Sequence, residues 1–108
     1  MHARVWKLRI RPGKIDDFHE ALSSVVTLAR RERGYRGVLA LGTGKQDAPD
    51  VTLVAVWDSL EEIRASERNL FLMQAISRYL ECCEGMPHHS EEELLATDFI
   101  ATEIGASA

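Results

Sequence analysis

The chain is predicted to be an α+β domain with ferredoxin-like β-α-β-β-α-β order and a four-stranded antiparallel sheet. Three observations lead there. Residues 4–11 alternate at strand period, with Trp6, Leu8 and Ile10 on one face and Lys7, Arg9 and Arg11 on the other. The run from Val54 to Trp57 then passes straight into a helix start, where Ser59 and Glu62 stand at capping-box spacing. Between and after these, glycines and prolines divide the chain into alternating strand-period and helix-period stretches.

Each element follows in order. Pro12-Gly13 ends the first strand, and Ile15, Phe18, Leu22, Val25, Val26 and Ala29 then fall on one helical stripe. The first helix is therefore expected over about residues 14–33, with Gly34 as its C-terminal cap. A second strand covers Val38 to Thr43, and residues 42–50 have the composition of a long hairpin loop. The third strand, Val51 to Trp57, is apolar on both faces, which predicts cover on both. The second helix runs from Ser59 to about residue 84, with a kink or break expected at Ser66–Asn69, and Gly85-Met86-Pro87 stops it. Leu94 to Glu103 is predicted as the last strand, with Glu91-Glu92-Glu93 as a solvated lead-in. One domain is expected over residues 1–104, followed by a loose tail at 105–108.

If Trp57 faces the helices, Val54 and Val56 lie on the opposite face of the sheet and need a cover. A second copy of the same sheet supplies it most simply, since most soluble oligomers are closed homodimers. The expected assembly is a homodimeric α/β barrel. Lys7, Arg9 and Arg11 form a basic row on that face, to be paired with acids such as Asp98 or Glu103 on neighbouring strands, left wet at the barrel ends, or used to capture an anion or a partner carboxylate.

Composition narrows the function. With 108 residues, 45% of them apolar, the chain can build one core. A formal charge of −4 argues against general nucleic-acid binding, which depends on phosphate neutralisation. No apolar run approaches the roughly 20 residues of a membrane span, and no signal-peptide core follows Met1, so a cytoplasmic location is expected. Cys82 and Cys83 are neighbours and cannot staple distant segments. Together with His88 and His89 they offer zinc-compatible atoms at poor spacing, so no metal site is assigned. Walker, dinucleotide-binding, zincin and nucleophile-elbow motifs are all lacking from the sequence.

Three segments carry a resemblance: Arg11-Pro12-Gly13-Lys14-Ile15-Asp16-Asp17-Phe18, Arg33-Gly34-Tyr35-Arg36-Gly37-Val38 and Trp57-Asp58-Ser59-Leu60-Glu61. In order and spacing, over roughly residues 4–80, they resemble the antibiotic biosynthesis monooxygenase (ABM) family. The resemblance implies a dimeric α/β barrel. It also implies cofactor-independent oxygenation of phenols or quinols, or haem degradation, although many members have no known activity. Alignment on Gly13 and Trp57 puts Trp6, Ser66 and Ile76 where the haem-degrading branch has its Asn, its second Trp and its iron-binding His. The resemblance therefore implies no haem cofactor.

The candidate site is a cleft between sheet and helices, walled by Trp6, Phe18, Leu22, Trp57 and Phe71, with no cofactor assigned. Two indoles could stack on a planar aromatic ligand and orient one of its oxygens. Both could equally be core residues of a small domain. His19 is the candidate base, because deprotonating a phenol would make it electron-rich enough to reduce O₂; a solvated surface histidine is the plainer reading. Tyr35, Arg36 and Tyr79 are further polar candidates. The leading expectation is a cofactor-independent monooxygenase acting on a small aromatic molecule. A non-catalytic ligand-binding or dimerisation module of the same fold is the alternative.

Overall fold

The computed structural model describes residues 1–98. Its elements are β1 (His2–Arg9), α1 (Ile15–Ala29), β2 (Tyr35–Lys45), β3 (Ala48–Trp57), α2 (Leu60–Ser66), α3 (Leu70–Glu81) and β4 (His88–Glu93). The sheet is four-stranded and antiparallel, in the order β2-β3-β1-β4. This is the ferredoxin-like plan with its second helix in two pieces.

Alternation along β1 and β3 sets the two faces. Arg4, Trp6 and Leu8 stand opposite Ala55, Leu53 and Val51, and these positions face the helices. Val5 pairs with Val54, and Val54 with Leu39, on the outer face. The helices α1 and α3 pack against each other across the inner face. Phe18 of α1 and Tyr79 of α3 are each 2% exposed and meet edge to face, with ring centroids 6.1 Å apart. With Leu8, Ile10, Val51 and Leu53 they form the core, each large side chain contributing roughly 1.5–3 kcal/mol by burial.

The break in the second helix falls at the expected place. Glu67 caps α2, and Asn69 starts α3, its side chain accepting from the N–H groups of Phe71 (3.1 Å) and Leu72 (3.2 Å). The Asn69 amide also donates to Glu32 Oε1 at 2.6 Å, tying the break to the end of α1. Only half of the expected capping box forms. Ser59 Oγ accepts from Glu62 N at 3.2 Å, while the Glu62 carboxylate leans towards Arg33 and Gly34 instead.

Three expectations need correction. The helix α1 stops at Ala29 rather than near residue 33, because Arg30 to Gly34 turn back towards the sheet. The expected long loop at 42–50 is strand on both sides of a two-residue turn, Gln46-Asp47. The last strand is His88–Glu93 and not Leu94–Glu103: residues 94–98 form no strand, and 99–103 lie outside the described residues, as does the tail at 105–108. In the basic row, Arg9 does find an acid on the neighbouring strand, Asp50 of β3 at 2.8 Å, while Arg11 turns to a backbone carbonyl, that of Cys83, at 2.8 Å. No helix among the described residues is long and apolar enough to cross a membrane.

Candidate functional site

A small cavity of about 60 Å³ lies between the sheet and the helices. Its floor is Arg4, Trp6, Leu53, Ala55, Trp57 and Val38. Its roof comes from Leu22 and Val25 of α1, Ile63 and Ser66 of α2, and Met73 and Ile76 of α3. Tyr35 and Tyr79 stand at its sides. The space suits a few water molecules and falls well short of the roughly 300–1,000 Å³ of drug-sized ligand sites. Larger hollows, of about 400 and 600 Å³, are open surface grooves with charged side chains such as Lys14, Asp17, Arg9 and Asp50 in their walls.

The aromatic groups interlock. Trp57 is 5% exposed and meets Tyr35 edge to face, with centroids 5.3 Å apart. Trp6 meets Tyr79 edge-on at 6.5 Å, and the His89 imidazole lies tilted against the Trp6 ring at 4.5 Å. Burial pushes the Tyr79 hydroxyl well above its ordinary pKa, so at neutral pH it remains a proton donor. Burial also raises the Tyr35 hydroxyl.

Among the described residues, Arg4 is the one charged residue in the cavity wall. Its Nη2 donates to Glu67 Oε1 at 2.5 Å and to Glu91 Oε1 at 2.7 Å, joining β1 to the end of α2 and to β4. Burial works against its charge, but the two carboxylates outweigh that cost and hold the guanidinium above its ordinary pKa. The same hydrogen bond lowers the pKa of Glu91. Arg4 Nε is buried without a hydrogen-bond partner among the described residues.

Of the residues expected at this site, the structure brings Trp6, Leu22 and Trp57 to the cavity. Phe18 belongs to the adjoining core and does not reach the cavity. His19 is exposed on α1, one helical step (100°) beyond Phe18 and therefore turned out of the core. Phe71 is 74% exposed, because Leu72 takes the inward position in that turn. The Cys82 and Cys83 thiols turn to carbonyls of their own helix, Arg78 and Tyr79, and burial pushes Cys83 up to about 11. His88 and His89 are consecutive on a strand and so point to opposite faces of the sheet. No cluster of three metal-ligating side chains occurs among the described residues.

Sequence reasoning missed Arg4. The signal was present, since strand alternation puts residue 4 on the face of Trp6, Leu8 and Ile10.

Solved structures show where this architecture recurs. SnoaB, a cofactor-independent oxygenase from Streptomyces nogalater, superposes with a TM-score of 0.73 at 12% identity, over 89% of this chain and 95% of that one. A protein from Nitrosomonas europaea carrying the antibiotic biosynthesis monooxygenase designation gives 0.74 at 12%, over 89% and 100%. One from Chloroflexus aurantiacus with the same designation gives 0.70 at 22%, over 92% and 97%. At these identities the likeness is one of fold. No curated protein matches the chain. The antibiotic biosynthesis monooxygenase family model matches residues 1–81, three quarters of the sequence, and the chain belongs to that family.

Proposed function

We propose that the protein is a cofactor-independent monooxygenase whose substrate is a small aromatic phenol or quinol, bound between sheet and helices beside Trp6 and Trp57, where the small cavity widens to admit it. Family membership supports the reaction class, and SnoaB is an oxygenase of that kind on the same fold. The observation that carries the substrate class is the cavity wall itself: two indoles, two phenols, one guanidinium and the Ser66 hydroxyl in a lining that is otherwise apolar.

The chemistry balances without a further reductant. A phenol loses its hydroxyl proton to solvent, and the phenolate passes one electron to O₂, giving superoxide and a phenoxyl radical. These combine to form a C–O bond at a ring carbon. Loss of that carbon's proton with cleavage of the O–O bond releases water and leaves a quinone, so phenol plus O₂ gives quinone plus water. A bound aromatic that fills the cavity favours this course by keeping competing water from the radical pair.

Oxygen-electrode assays with naphthols, hydroquinones and hydroxylated anthrones test the reading. Uptake matched by quinone absorbance is expected, and it should disappear in Ala55→Leu, which fills the cavity from the sheet side. No uptake with any of these substrates would remove the oxygenase assignment.

The narrowness of the cavity favours a second reading, a ligand-binding or dimerisation module with a nearly filled core. Aromatic binding without oxygen uptake would select the binding module.

A further inference from the structure

Arg4 lines the cavity with a side chain 14% exposed, while the Glu67 carboxylate bonded to it is 44% exposed. The ion pair therefore stands between the cavity and solvent. Glu67 is the C-terminal cap of α2, at the break between the two short helices, and the neighbouring Ser66 is part of the cavity roof. Glu91 holds the same nitrogen from β4, so two carboxylates share one Arg4 nitrogen and Nε has no partner among the described residues. One carboxylate can leave, and Arg4 still keeps a counter-charge.

We propose that Arg4 is the specificity-determining residue of the cavity and takes an ionised ligand hydroxyl in the place of Glu67. Displacing Glu67 then also frees the α2–α3 break from the sheet. The inference rests on the reading that this cavity is the ligand site, and it deepens that reading to aromatic molecules with an acidic hydroxyl. Selectivity follows from the surroundings. A neutral aromatic finds mostly apolar walls with the uncharged Tyr35, Tyr79 and Ser66 hydroxyls, and it has no means of displacing a carboxylate from a guanidinium. A phenolate exchanges one charge-assisted hydrogen bond for another. It also leaves Glu67 free to be hydrated, since that side chain is already half in water. The other ionisable groups near the pair are His89, with Nδ1 3.8 Å from Glu91 Oε2, and Arg64, which acts on Glu91 through space. Tyr79 faces Arg4 from α3.

The probe is 4-nitrophenol, whose phenolate is yellow and whose hydroxyl ionises near neutral pH. Its absorbance is followed against pH in buffer and with excess protein. A cation beside the bound oxygen should move the midpoint down by about one pH unit or more. In Arg4→Met that shift should vanish, while 4-nitroanisole, a neutral probe of similar shape, binds as before. In Glu67→Gln the shift should grow, because the competing charge is gone. Glu67→Gln keeps the test open if Arg4→Met fails to fold. An unchanged shift in Arg4→Met, or a smaller one in Glu67→Gln, overturns the proposal. A wild type that moves nothing yet takes up oxygen with phenols also overturns it, and leaves the oxygenase reading standing. The expected shifts without oxygen uptake would uphold Arg4 and remove the oxygenase reading.

Discussion

Gly34 sits at φ +84°, where the chain leaves the turn after α1, and a Cβ there would overlap Glu62 Oε2. Two costs therefore add in Gly34→Ala: a left-handed backbone for an L-residue and displacement of the Glu62 side chain. Together they should remove roughly 2–4 kcal/mol of stability. Urea denaturation checks this, and Glu62→Ala in the same chain should restore the steric part alone. Full recovery would show that the backbone conformation costs nothing. Trp57→Ala should cost about 3–5 kcal/mol, near the lower figure because one side of the ring already borders the cavity. At this scale the sequence was informative where a residue's partners lie on its own strand or helix stripe. It showed Trp6 and Trp57 facing the same way, whereas Gly34, expected as the C-terminal cap of α1, lies four residues beyond Arg30, which caps the helix. His19, at the edge of the apolar stripe, takes the plainer of its two readings, a solvated surface histidine, because one residue beyond Phe18 along a helix is a 100° rotation.

At the scale of elements, the break between α2 and α3 explains the fate of Phe71. Ile63 and Ser66 face inward in α2, whereas in α3 the inward positions are Leu72, Ala75 and Tyr79. A single uninterrupted helix would keep one phase throughout; the break resets it, and Leu70 and Phe71 end exposed. Asn69 holds that phase through its two bonds to the backbone of α3 and one to Glu32. Asn69→Ala should cost about 1–2 kcal/mol, read by denaturant midpoint. Asn69→Asp should retain the cap but set a carboxylate against Glu32, so its deficit should shrink under acid. The strand β4 shows the opposite limit of legibility. All six of its residues, His88–Glu93, are exposed, so no apolar alternation marks them. Only backbone pairing with β1 makes them a strand, and that partner lies more than 80 residues away in sequence. Charge along such an edge also discourages further pairing. Because Arg4 lowers the pKa of Glu91, the bond from Arg4 to β4 is fully effective above the ordinary carboxylate range. Its stabilisation is lost as pH falls through the depressed value. Amide exchange in β4, corrected for the intrinsic pH dependence, should therefore quicken under acid relative to β3. Equal protection of the two strands across that range would count against the Arg4 link.

For the whole molecule, the decisive feature is that the helices cover only one side of the sheet. On the other side Val5, Val54 and Val56 are half-buried, while Leu39 and Leu41 are 39% and 59% exposed. Beside them Met1, Gly37, Leu39 and Val56 line a hollow of about 280 Å³. The sequence showed this face through the β-branched residues on both sides of β3, but it could not show what covers it, since periodicity records burial and not the identity of the partner. A monomer would leave this apolar surface in water. A second sheet packed against it needs about 800 Å² per partner for a stable contact, which the central strands of a four-stranded sheet can provide. We therefore expect sedimentation at micromolar concentration to give twice the mass of the chain. A two-fold contact meets each substitution twice, so Leu39→Lys would place like charges on both sides of one interface. Leu39 points away from the helix-covered core, and the monomer's fold should survive the change. The expected result is a folded monomer with unaltered far-UV circular dichroism. A Leu39→Lys protein that remains dimeric, or a wild type that sediments as a monomer, would mean that this face is covered in some other way.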